Sequence, residues 1–536
     1  MSSFPISKSL ATGLVLSSKE RSREQAHRSI SQAYTSRIAL RISSCILAWC
    51  VLIFAVISIH WPLAGDATLI HYIGFLMDRG SAPYRDIADY NFPRAYMIDY
   101  IVMHTLGGGS LAWRLFDLGL TVCGGLAMIS IARTYGRAVG FFAGSLLAVV
   151  HGCDGIYALG QRDFVIAILV LIGYAALFHA IRNESPHWMF PFGLCTGLSA
   201  TIKPTFLPLG LLLLITLLLM RRVDQRTRFA TVIWGLAGWA IPIVGVLVFL
   251  WRMSAIFAFF AVLRGIMLYH AALGRRPVSY LLLHSCAPLL PMVVIWLLCV
   301  FKLRKDWIKW ERIALLIGCL LGLASYVIQG KGYSYQRYPF LAILLLMMSI
   351  DFARAIERDK WLRIVGWIGI AFGTLFLAPV SVARASRYDW QNAEFRTMLR
   401  DDLRRLGGDR LSGRVQCIDT IGGCFDVLYR MQLSQSDGFI YDEFLFGRGD
   451  NNVISDSRGK FWARMQANLP EVIVVTDDQF PSGPGNFRKI ESWPQFAFLL
   501  DHRYRLYVQR TPSHTVHWWS RVQQPHSYRI YVISHR

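Results

Sequence analysis

Long apolar stretches recur through the first 380 residues of the chain and then stop. They cover 43–63, 110–132, 138–152, 164–181, 189–202, 205–220, 229–251, 280–301, 313–329, 338–352 and 362–382. A helix needs about 20 apolar residues to cross the hydrocarbon core, fewer where protein covers its ends. The pattern therefore predicts a polytopic α-helical membrane protein of about eleven spans. Residues 1–42 are polar and basic, with Lys8, Lys19, Arg21, Arg23, Arg28 and Arg37. They hold no apolar run followed by a small-residue cleavage site, so they read as a cytoplasmic arm and not a signal peptide. Past residue 383 the period changes. RVQCIDTI, EVIVVTD and YRIYVISH are rich in Val, Ile and Tyr and predict strands. FDVLYRMQ and GKFWARMQANL carry helical spacing. The organisation expected is a membrane domain over 43–383, with a long polar loop at 64–109, and a small α/β domain over 384–536.

The loops alternate in charge. Arg133 and Arg137, Arg182, the RRVDQRTR cluster (Arg221, Arg222, Arg226, Arg228), KLRKDWIKWER (Lys302, Arg304, Lys305, Lys309, Arg312) and ARAIERDKWLR (Arg354, Arg358, Lys360, Arg363) all fall on one side of the predicted topology. Basic loops mark the cytoplasmic side. The N-terminus is then cytoplasmic, and the 64–109 loop and the C-terminal domain lie outside, as in an inner (plasma) membrane protein.

Composition supports the same class. Apolar residues make up 54% and charged residues 17% of 536, against roughly 45–50% and 25% in soluble domains. A disordered chain, a disulfide scaffold and an ordinary cytosolic enzyme are excluded. The net charge of 56 − 34 = +22 would suggest nucleic acid in a soluble chain. Here it is accounted for by the basic loops, and with no zinc spacing or helix-turn-helix, nucleic acid is not expected as a partner. Most of the ten Cys lie in apolar runs and read as small hydrophobes. Cys417 and Cys424, in CIDTIGGC, are either a disulfide of an extracytoplasmic domain or two separate thiols.

Ionisable groups close to a membrane are costly and tend to be functional. The non-cytoplasmic segments hold several: Asp66, Asp78, Asp86, Asp89 and Asp99 in the first loop; Arg162 and Asp163 at the mouth of the fourth span; Lys203 in SATIKPTF; Lys331, Tyr333, Tyr335, Arg337 and Tyr338 in QGKGYSYQRYP. The spacing from Asp66 through His71 and Ile73 predicts a helix lying along the interface, and the turn-rich GSAPYRDIADYNFP puts Asp86 and Asp89 on a loop. Carboxylates can serve as a general base. Lys and Arg near the membrane plane can hold a phosphate. Each also has a plainer reading. Asp66 fits a helix N-cap; Asp86 and Asp89 fit turn residues. Arg162–Asp163 fits a simple ion pair and Lys203–Pro204 a helix break. Lys331 and Arg337 fit snorkelling residues in an aromatic belt.

The stretch GDATLIHYIGFLMDRGSAPYRDIADYNFPRAYMIDY resembles the first extracytoplasmic loop of GT-C glycosyltransferases, the bacterial branch related to protein O-mannosyltransferases and lipid A aminoarabinose transferases. Asp66, Gly80, Pro83, Tyr84, Asp86, Asn91 and Pro93 match that loop in order. ALGQRDF, TIKPTF and QGKGYSYQRYP also look like recurring segments of related transferases, and the resemblance spans roughly residues 40–350. There are departures. Gly65 precedes Asp66 instead of following it, and Phe92 and Arg94 replace the residues usual after the Asn, which leaves Arg94 in place for that donor contact. The resemblance implies an inverting displacement in which a sugar leaves a polyprenyl phosphate for a glycan, lipid or protein acceptor. It implies Asp66 as catalytic carboxylate and Asp163 as a second acidic site residue. Asp86, Asp89, Arg94, Arg162, Lys203, Lys331 and Arg337 are the substrate-binding candidates, the last four for the phosphate. Members of the class differ in using a divalent metal, and no His/Cys ligand spacing here decides it. A transporter or flippase of lipid-linked glycans is the rival reading, and a non-catalytic membrane scaffold a third. Asp154 and the Asp477–Asp478 pair have no distinctive spacing.

Overall fold

The computed structural model describes residues 38, 40–220, 225–272, 275–287, 289–303, 309–385, 390–419, 423–446, 452–479, 483–484, 487–512 and 527–534. The basic arm lies almost wholly outside the described residues, as do Arg221, Arg222, Arg304 and Lys305. The membrane domain runs α1 (Leu40–Ser58), α2 (Asp66–Asp78), α3 (Pro93–Leu106), α4 (Ser110–Ile131), α5 (Arg137–Asp154), α6 (Arg162–Arg182), α7 (Met189–Ile202), α8 (Leu207–Met220), α9 (Gln225–Arg252), α10 (Ile256–Ala272), α11 (Val278–Ser285), α12 (Leu290–Leu303), α13 (Trp310–Gln329), α14 (Tyr338–Ile356), α15 (Lys360–Ala371) and α16 (Ala378–Ala385).

Each of the eleven predicted stretches overlaps at least one helix, but length and composition do not bear out all eleven as crossings. Seven helices among the described residues are long and apolar enough to cross a membrane, or eight if α11 and α12, bent by 81° at their break, form one span. The helices α7 and α8 have 14 residues each, about 21 Å of rise, and fall short of the ~30 Å core. A further helix, α10, occupies sequence expected to be largely loop.

Helix α14 is apolar all round, and 89% of its span is buried; such a helix belongs inside a bundle. Helix α9, 17% buried, lies at the rim. It packs on α7 through small residues. A Cβ added at Gly193 would strike the Gly235 carbonyl, and one at Gly238 the Phe190 carbonyl. Small residues let membrane helices approach this closely.

The C-terminal domain comprises α17 (Trp390–Leu406), β1 (Val415–Ile418), α18 (Cys424–Arg430), α19 (Glu443–Phe446), α20 (Asn452–Ala467), β2 (Val472–Thr476), α21 (Pro494–Arg503), β3 (Tyr504–Arg510) and β4 (Tyr528–Ile533). Its sheet has the order β1-β2-β4-β3. β1 and β2 are parallel, with Val415 opposite Val472, and the other pairs are antiparallel. The three strands expected from Val/Ile/Tyr content are β1, β2 and β4; β3 was not foreseen. Cys417 and Cys424 form a disulfide joining β1 to α18.

This domain sits on the first loop. The Arg396 guanidinium donates to the Leu63 carbonyl at 2.6 Å. The Tyr72 hydroxyl donates to the Leu433 carbonyl at 3.1 Å and accepts from the Gln435 N–H at 2.8 Å. Helix α2 is consequently not a one-sided interfacial helix: Ala67 through Met77 are all buried, because Phe395, Phe425 and Leu428 cover the face that the bundle leaves open.

Candidate active site

Asp66 opens α2. The N-cap position is occupied by Gly65 and not by Asp66. Its Oδ2 instead accepts from Arg162 Nη2 at 2.6 Å. Arg162 and Asp163 are the first two residues of α6. They do not pair with each other. Asp163 accepts from Lys203 Nζ at 2.6 and 2.7 Å, and Lys203 also donates to Gln329 Oε1 at 2.7 Å. The reason lies in local geometry. Neighbouring side chains on a helix diverge and do not face each other. Lys203 is free to turn inward because Pro204 pushes it to extended backbone (φ −146°, ψ 113°), which ends α7. The outcome is a ladder, Asp66–Arg162 and Asp163–Lys203–Gln329, drawn from four separate segments.

The ladder opens on a narrow cleft lined by Asp66, Ala95, Ile98, Trp113, Gly160 and Arg162. The Asp66 side chain is 30% exposed and that of Arg162 22%, so both are accessible to a guest. The turn before α6 is held from α4. Trp113 Nε1 donates to the Leu159 carbonyl at 3.1 Å, and Gly160 N–H donates to Asp117 Oδ1 at 2.8 Å. Asp117 in turn pairs with Arg114 and with His151 Nε2 at 2.9 Å. All three are buried. The Asp117 carboxylate is thus held by the Gly160 N–H, Arg114 and His151 together.

On the first loop, Asp89 accepts from the Asn91 N–H at 3.0 Å and from Asn91 Nδ2 at 2.9 Å. Burial pushes its carboxyl up, against the pull of Asn91 and Arg162. Asn91 Nδ2 also donates to the Tyr441 hydroxyl at 3.3 Å. Tyr333 and Tyr335, from the loop before α14, lie within electrostatic reach of Asp66. Lys331 is beside Glu443 of the C-terminal domain, and burial lowers its ammonium to about 8.

The structure therefore brings together Asp66, Arg162, Asp163 and Lys203, with Asp89 close by and Lys331 at the side where Glu443 meets it. Three candidates are engaged differently. Arg94 donates to the Pro242 carbonyl at 2.6 Å and Thr201 Oγ1 at 3.2 Å. Arg337 is buried, pairs with Asp154 at 2.8 Å and donates to the His284 carbonyl at 3.0 Å. Asp86 is 40% exposed and paired with Arg85, which holds its carboxyl below the usual range. Asp117, His151, Gln329, Tyr441 and Glu443 were missed. The Ala-Leu-Gly-Gln-Arg-Asp run shows where a turn feeds a helix, but no local pattern reveals which side chains grip it. Among the described residues no group of three or more His, Cys, Asp or Glu is arranged to hold a metal ion.

No family model and no curated protein matches the sequence. Solved structures do match the fold. ArnT from Cupriavidus metallidurans in the apo state aligns with a TM-score of 0.56 and 13% identity, over 93% of this chain and 98% of that one. The same protein bound to undecaprenyl phosphate gives 0.54 and 12%, over 91% and 97%. The Archaeoglobus fulgidus oligosaccharyltransferase tethered to an acceptor peptide gives 0.51 and 11%, over 88% of this chain and 73% of that one. The chain is thus a multi-pass membrane protein with the GT-C fold that its first loop implied.

Proposed function

We propose that this chain is an integral membrane glycosyltransferase that moves a sugar from a polyprenyl-phosphate donor to a hydroxyl of an envelope acceptor. The observation that carries the reading is the cleft in which the Asp66 carboxylate and the Arg162 guanidinium meet, backed by Asp163 and Lys203. The bond that forms joins the acceptor oxygen to the anomeric carbon. The bond that breaks joins that carbon to the phosphate oxygen. Asp66 accepts the acceptor's proton. Arg162 and Lys203, with Lys331 at the rim, offset the charge that develops on the departing phosphate. A donor phosphate competes with Asp66 for Arg162, so donor binding itself loosens the carboxylate for its task. In a structure of the same fold the ligand is undecaprenyl phosphate, which agrees with the donor class.

Orientation follows from charge. Helix α6 begins at Arg162 and ends at Arg182, about 30 Å away. There Arg182 pairs with Glu311 at the start of α13. Arg312 pairs with Asp351 near the end of α14. Arg182 and Arg312 thus lie at the end opposite Asp66, which supports a cytoplasmic position for that end and an extracytoplasmic one for the site and the 384–536 domain.

Asp66→Asn keeps the shape of the side chain and removes its basicity. It is expected to lower transfer by about 10²–10⁴-fold with membrane insertion and detergent stability unchanged. Turnover like the wild type, with an undecaprenyl-phosphate sugar as donor, overturns the assignment.

A further inference from the structure

We propose that Tyr441, supplied by the C-terminal domain, is a substrate-contacting residue of this site and donates its hydroxyl hydrogen to an oxygen of the ligand lodged between Asp66 and Arg162. The inference rests on the glycosyltransferase reading and extends it to a domain to which no role has been given.

The first support is placement. The segment that carries Tyr441 is clamped to the first loop. Ala88 N–H donates to the Gly438 carbonyl at 2.9 Å. Gly438 itself lies so close to the Asp86 carbonyl that a Cβ there has no room. Arg464 ties both sides together, donating to Asp437 Oδ1 at 2.9 Å and to the Asp86 carbonyl at 3.0 Å. Beyond Tyr441, Phe444 meets the Tyr90 ring edge-on at 4.3 Å. A side chain between two such anchors has little freedom left to lose on binding.

The second support is what surrounds the hydroxyl. Asp89, Asp66 and Arg162 all lie within its electrostatic reach. Asn91 Nδ2, itself oriented by both oxygens of Asp89, donates to it. The Tyr441 oxygen is therefore an acceptor in that bond, and its own hydrogen is left for another partner. Burial and the two carboxylates hold the phenol well above its ordinary range, so it stays protonated. A hydroxyl donor within electrostatic reach of two carboxylates and a guanidinium suits an oxygen-rich ligand, either a sugar hydroxyl or a phosphate oxygen. The ring has a separate task, since it packs against Phe444 at 5.2 Å, and Phe at 441 would preserve that contact.

The test uses the full chain in nanodiscs and three probes: undecaprenyl phosphate, and the same lipid carrying glucose or arabinose. Tyr441→Phe is expected to weaken binding about three- to tenfold, the range for one hydrogen bond. Equal weakening for all three lipids assigns the bond to a phosphate oxygen. Weakening confined to a glycosylated lipid assigns it to a sugar hydroxyl. Wild-type affinity for every lipid that the unmutated protein binds overturns the inference and leaves the Asp66 assignment standing. A wild-type protein that binds none of them overturns the donor class and this inference together.

Discussion

Lys331 and Glu443 stand 112 positions apart in sequence, and each lies within electrostatic reach of the other. Lys331 carries an ammonium lowered to about 8 by burial, with Glu443 opposing the shift and Arg275 adding to it. Only the protonated amine helps to bind an anion, so its contribution is present below pH 8 and is lost as pH rises through that value. In the free enzyme, kcat/KM for an anionic donor should therefore fall above about pH 8. Lys331→Arg, whose guanidinium stays charged, should carry the plateau upward by a unit or more, about what the gap between the two side chains allows. A pH–rate profile that the substitution leaves unmoved removes Lys331 from donor binding. Asp66 was legible as the first of the acids that follow the first span. Its partner was not. Arg162 lies 96 positions away, and beside Asp163 in sequence it looks like half of a local ion pair. The helix sends the two apart, each to a different opposite charge.

At the scale of elements, the site depends on how the turn before α6 is held. Gly160 has φ +60°, and a Cβ there would run into the Trp113 indole. Gly160→Ala is expected to cost about 1–3 kcal/mol, the range for a strained backbone position, and to displace Arg162 and Asp163 together. The expected signature is a lower thermal midpoint with a larger loss of transfer, followed by unfolding and activity assays on one preparation. Loss of stability with full activity would show that the turn does not position the ladder. Much at this scale could be read from periodicity. The apolar runs contain the helices, and Val, Ile and Tyr content marks β1, β2 and β4. The misses share a cause. Helix α2 reads as one-sided in sequence, but Phe425 and Tyr429 of the C-terminal region, with Asp99 and Trp113, cover its other face. The strand β3 exposes most of its side chains, so it lacks the alternation that identifies strands.

For the whole molecule, Arg162 and Asp163 of the ladder open α6, and Arg182, paired with Glu311, closes it at the far end. Topology is then testable with single cysteines in a background lacking exposed Cys45 and Cys123. Arg79→Cys, just past α2, should react with a membrane-impermeant maleimide in intact cells. Asn183→Cys, just past α6, should react only after permeabilisation. The reverse pattern would put the site in the cytosol and remove the extracytoplasmic donor. What the sequence by itself determined is the class: span-length apolar runs, one-sided basic loops, a terminal α/β region and an acid after the first span. Those are properties of local composition and period, which any window of the chain displays. Tertiary structure alone decided which acid meets which cation, that Arg94 and Arg337 are engaged elsewhere, and that Tyr441 reaches a loop 350 positions earlier. Such pairings depend on where the bundle and the C-terminal domain bring separate segments together, and no spacing within one segment encodes that distance.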